Sequence, residues 1–306
     1  MRTGVGAAVA AVVGAALFVS PNAAAAPNVV ASQQCSPWIV STVTHGFGML
    51  ENLAFGDDGT MYLSETSPSG SGRIAALTPE GQRLTAVPEV NSPGGLVVDG
   101  NTLYFATGNG TVAGVLDTHD GTVDTLDIES GTRSTYARGL VMPNGLAQSP
   151  EGDLFATRNL GSVTGLTVVP RDSPNEPYPV RTDLGTANGI AVDGDTVYVS
   201  NTFDPVLVIT ALDANDPGGP SKKIPVDGFG PFTASDDMTV GPDGQVYLAQ
   251  NLAGRVLRID PRTGSSCVVG TGLPLTSSVE FGGDGWDRTS LYATSFDGTV
   301  RKLTPS

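Results

Sequence analysis

Four oxygen-bearing residues recur in step along this chain. Glu51, Asn144, Asn188 and Asp236 each open a short phrase in which a polar pair precedes an apolar strand, and two further phrases open at Gly94 and Ser277. The six read Glu51-Asn52-Leu53, Gly94-Gly95-Leu96, Asn144-Gly145-Leu146, Asn188-Gly189-Ile190, Asp236-Asp237-Met238 and Ser277-Ser278-Val279, at intervals of 41 to 50 residues. Two carboxylates and two amide carbonyls brought to one point would make a nest for a hard cation. Calcium accepts about six to eight such oxygens, leaving places here for water or a substrate. No His or Cys stands at these positions, which sets aside zinc, copper and iron.

The residues can only converge if the chain folds so that equivalent positions face a common axis. A period of this length built from short strands is the signature of a β-propeller, each repeat forming one four-stranded blade. Between the first two strands of each repeat lies a Gly- and acid-rich turn, such as Gly56-Asp57-Asp58-Gly59 or Pro242-Asp243-Gly244, suited to closing a hairpin. The strands that follow, among them Met61 to Ser64 and Val197 to Ser200, are rich in β-branched and aromatic residues. The last repeat has room for only about three strands, and the segment from Trp38 to Val43 lacks a partner in its own repeat. The expected fold is therefore all-β, a six-bladed β-propeller whose sixth blade is completed by the N-terminal strand, leaving no open edge.

With the phrases in register, the chain resembles the senescence-marker-protein/gluconolactonase family. The resemblance rests on Met142-Pro143-Asn144-Gly145-Leu146, Ala187-Asn188-Gly189-Ile190 and Ser235-Asp236-Asp237-Met238, with Glu51 at the place of the family's first-blade glutamate. It extends to the related paraoxonases and strictosidine-synthase-like proteins and covers all six repeats. It implies one divalent cation, by preference Ca2+, held by Glu51, Asn144, Asn188 and Asp236. It also implies hydrolysis of a lactone or ester, with Asp236 as the catalytic base. The chain departs from the family at Gly94, where paraoxonases carry a histidine, and at Met142, where many sugar lactonases carry an arginine. A second calcium would want acids where Asn52 and Gly145 stand, so a single metal is expected.

Ends of the second strands should reach the same face as the leading pairs. That makes Arg158, Asn201 and Asn251 candidates for the pocket wall, together with Glu65 and Asn159, and Asp237 a candidate to orient a water or bind the metal. Arg158 is the one obvious cation among them and could hold a substrate carboxylate. Thr118-His119-Asp120-Gly121 reads as an outside turn, and His45 as a residue that could approach the channel mouth.

Residues 1–26 read as a secretory signal peptide: Arg2, an apolar run from Val5 to Val19, then small residues before Pro27. Residues 27–306 form a single domain, expected to be secreted or held in the cell envelope, with no membrane span. A formal net charge of −15 speaks against nucleic-acid and anionic-membrane partners. A small-molecule lactone or ester is the expected partner, and the protein a monomer. The two cysteines, Cys35 and Cys267, are expected to form a disulfide in an oxidising compartment. The alternative to an exported hydrolase is a non-enzymatic extracellular binding or sensor propeller, which the missing histidine and arginine would suit.

Overall fold

In the computed structural model of the protein, residues 35–306 are described. The signal peptide expected at 1–26 lies outside the described residues. The strands group into six four-stranded antiparallel sheets, each a meander from an inner to an outer strand. The inner strands are Met49–Phe55, Leu96–Asp99, Leu146–Gln148, Ala187–Asp193, Ser235–Val240 and Thr276–Phe281. They carry the six phrases, so the repeats are the blades of a propeller. Six buried apolar clusters hold the ring, each bridging neighbouring blades; Phe155 of blade three packs with Ile190 of blade four, and Ile209 of blade four with Leu248 of blade five.

Ring closure follows the sequence expectation. The strand Ile39–His45 pairs antiparallel with Thr299–Thr304 and forms the outer edge of blade six, beyond Leu291–Ser295 and Thr276–Phe281. Just upstream, Trp38 donates its N–H to Val269 O at 2.8 Å and stacks near Tyr247 and Phe281, tying blade five to blade six. Cys35 and Cys267 are disulfide-bonded, with Cα atoms 5.5 Å apart. His45 is thereby fixed, exposed, at the end of the outermost strand and is not among the residues that line the cavity.

The inner strands are bulged at their polar pairs. In blades one, four and five the register shifts between Leu50 and Leu53, between Ala187 and Ile190, and between Ser235 and Met238, so two residues oppose one. A bulge re-aims side chains. Here it turns the leading residue, Glu51, Asn188 or Asp236, into the cavity at the mouth of the axial channel, while Asn52 and Asp237 meet each other within the ring.

Two short helical turns, Thr111–Val115 and Gly230–Thr233, sit in loops on the mouth face. They are too short to show a helical apolar period in the sequence.

Candidate metal centre and active site

Glu51, Asn144, Asn188 and Asp236 all line one cavity of about 680 Å³ at the mouth of the channel. All are buried except Glu51, which is partly so. Side-chain amides hold the carboxylates in place: Asn109 Nδ2 donates to Glu51 Oε1 at 3.1 Å, and Asn251 Nδ2 to Asp236 Oδ2 at 3.1 Å.

Electrostatically the site is short of positive charge. Burial pushes the Glu51 carboxyl up to about 7, opposed by the Asn109 bond and reinforced by Asp237. Burial likewise holds Asp236 well above the ordinary carboxylate range, with Glu51 and Asp237 adding to the effect. Carboxylates crowded without a counter-charge resist ionisation until a cation or proton joins them. Among the described residues, no lysine, arginine or histidine lines the cavity. The amides point to a cation rather than a proton. Asn188 Oδ1, Asn109 Oδ1 and Asn159 Oδ1 are buried acceptors with no hydrogen-bond partner among the described residues, a costly condition that an ion bound by oxygens would relieve. The donor set thus fits a hard divalent cation.

A relay of hydroxyls between blades fixes the leading residues. Gly145 N–H donates to Thr157 Oγ1, which donates to the Asn188 carbonyl of the next blade. Gly189 N–H donates to Ser200 Oγ at 2.9 Å, and Ser200 Oγ to the Asp236 carbonyl at 2.9 Å. Ser64 and Ser277 reach the carbonyls of Gly94 and Leu50 in the same way, at 2.5 and 2.6 Å. The glycine beside Asn188 is a steric requirement. A Cβ on Gly189 would strike the Asp236 carbonyl oxygen and lie 2.5 Å from Asp237 Cα, both backbone atoms. Gly189→Ala should therefore destabilise the fold by roughly 2–4 kcal/mol and lower cation affinity with it, measurable by thermal melts with and without calcium.

The other sequence candidates separate. Asn251 and Asn159 line the cavity. Asp237 lies partly buried outside the cavity lining, accepting from Asn52 Nδ2 at 2.5 Å and Ser278 Oγ at 2.7 Å, with burial raising its pKa. Asn201 is turned into its own loop, bonded to Val206 O and Val208 N. Glu65 pairs with Arg73 and accepts from Gly48 N. Arg158 is not in the cavity wall: its guanidinium pairs with Asp117 and reaches the carbonyls of Gly114 and Leu160. The reason is a loop contact from blade two that supplies the carboxylate. Thr118 and Asp120, expected on the outside, instead line the cavity rim, while His119 Nδ1 lies 3.0 Å from Gly139 O. The site residue missed from sequence is Asn109. It follows the second strand of blade two, as Asn159 and Asn251 follow those of blades three and five, and that repeated asparagine was the available signal.

A family model described as the SMP-30/gluconolactonase/LRE-like region matches residues 71–297. No curated protein sequence matches the chain. Among solved structures, regucalcin from Agrobacterium tumefaciens, described as calcium-binding, is 17% identical with a TM-score of 0.66, over 89% of this chain and 95% of that one. A gluconolactonase from Xanthomonas campestris is 18% identical, TM-score 0.65, over 87% and 89%. Virginiamycin B lyase from Staphylococcus aureus is 11% identical, TM-score 0.57, over 87% and 98%. At these identities the likeness is one of fold.

Proposed function

Because the chain belongs to the SMP-30/gluconolactonase/LRE-like family, we propose that it is an exported calcium-dependent hydrolase of a lactone or ester. The observation that carries this reading is the convergence of Glu51, Asn144, Asn188 and Asp236 in one cavity beside buried amide oxygens that lack partners. Those four residues would hold the cation. When bound, it supplies Lewis acidity toward the substrate carbonyl and the oxyanion that forms from it.

Asp236 is the base. Asn251 holds its Oδ2, so the carboxylate keeps one orientation as it takes the proton of the attacking water and later returns it to the departing alkoxide. Asn109 orients Glu51 in the same way. Asp237, tied to Asn52 and Ser278, supports the site from outside the cavity lining and meets no substrate. Export agrees with the Cys35–Cys267 disulfide.

Calorimetry of the mature protein with calcium, run beside a panel of lactones and aryl esters, tests the proposal; absence of both binding and turnover refutes it. The sign of the pH dependence is fixed by the raised carboxyls. Below about pH 7 Glu51 is protonated in the cation-free site, so calcium must displace a proton. Affinity should fall as the pH drops from 7 toward 5, by up to about tenfold per pH unit for the Glu51 proton and more steeply where Asp236 also carries one. Affinity independent of pH across that range would exclude Glu51 as a ligand.

A further inference from the structure

The cavity opens onto an unusually apolar rim. In a propeller blade the loop between the second and third strands, and the loop leading into the next inner strand, both lie on the face where the leading residues stand. Among the described residues, the exposed large apolar side chains gather in these loops. Val112, Val115 and Leu116 project from the turn over blade two, with Val112 70% exposed. Phe203, Phe232 and Leu252 do so over blades four and five, with Phe232 76% exposed. The exceptions, Ile39, Val43, Leu84 and Tyr178, are scattered over outer strands.

The rim is continuous with the cavity. Val112, Phe203 and Leu252 belong to both, being cavity lining and exposed at once. From Phe203 the apolar surface runs on across the turn Gly230–Thr233. Gly230 packs on the Phe203 and Asp204 backbone, Phe229 and Phe232 stack at 5.4 Å, and Leu252 N–H bonds to Thr233 O. Contiguous exposed apolar surface beside a pocket marks something that binds there. The cavity floor, by contrast, is made of amides and carboxylates and contains no cationic side chain. The cavity wall offers an anionic ligand no side-chain partner of opposite charge, and a net charge of −15 opposes anionic ligands and anionic lipid surfaces alike.

We propose that the preferred ligand of this site is a neutral amphiphile, with a polar ester or lactone head on the amide floor and a hydrocarbon chain lying on the Val112 and Phe203–Phe232–Leu252 rim. This rests on the hydrolase reading for the head group, and not for the chain. Its test is a series of γ-lactones with side chains from none to octyl, assayed with calcium present, beside calorimetry with 2-octylcyclopentanone, which has no bond to hydrolyse. kcat/KM should rise by about three- to fourfold per methylene until the chain outgrows the rim. Phe232→Asn and Val115→Asn, both outside the cavity, should reduce the octyl lactone by roughly fivefold or more and leave the unsubstituted ring unchanged. A rate independent of chain length, with no binding of the ketone, overturns the inference even where lactones are hydrolysed. Ketone binding weakened by Phe232→Asn, with no lactone hydrolysed, upholds the apolar subsite and removes the hydrolase reading instead. Sedimentation showing a dimer that Phe232→Asn dissociates would assign the face to a second copy and overturn the inference.

Discussion

Asp236→Asn should lower lactone turnover by on the order of 10²-fold or more, the scale of a lost general base, while calcium still binds. The substitution keeps an oxygen at the ligand position and nearly the same volume, and removes only charge and basicity. Asn251 Nδ2, which donates to Asp236 Oδ2 at 3.1 Å, can donate equally to an amide carbonyl, so the local geometry has no reason to collapse. Asn188→Ala differs in kind. It deletes a buried oxygen that has no hydrogen-bond partner among the described residues, so it should weaken cation affinity, and added calcium should restore much of the rate. Stopped-flow turnover at saturating calcium, with binding measured separately, distinguishes the two. Equal turnover of Asp236→Asn and the unaltered protein would remove Asp236 from the chemistry.

Loss of the disulfide should be the largest single change in stability. Cys35 and Cys267 are separated by 232 residues, and closing so long a loop disfavours the unfolded chain by about 5 kcal/mol on a chain-entropy account. Cys35→Ser with Cys267→Ser should melt well below the unaltered protein, and the unaltered protein in reductant should approach the same temperature. The neighbouring contacts of Trp38 with Tyr247 and Phe281 survive the substitution, so the fold is retained at low temperature. A melting temperature unmoved by both treatments would show that those contacts alone seal the ring.

Repeats made the architecture legible. The in-phase leading residues announced the convergence of Glu51, Asn144, Asn188 and Asp236, because in a closed ring sequence phase becomes angular position. Even the placement of Trp38–Val43 followed from counting strands in the last repeat. What could not be read was where long side chains would find partners. Arg158 looked free for a substrate, yet its partner Asp117 lies 41 residues earlier in a loop of another blade, and no periodicity relates the two. Asn201 stood at the end of a second strand like Asn251, but its loop returns to bond it at Val206 and Val208. Thr118 and Asp120 came to the cavity rim because residues 111–115 coil into a turn, a choice made by packing.

The pairing of Ile39–His45 with Thr299–Thr304 has a consequence for the order of events in synthesis. One edge of the sixth blade is among the first segments of the domain to emerge from the ribosome, and its partner is the last. Every earlier blade can hairpin as soon as its own strands appear, but the seam must wait until the strand Thr299–Thr304 has been made. Until then blade six cannot exist, and the apolar faces of blades five and one that pack against it stand uncovered. A ring sewn with its own first strand stays open until its last strand has been made.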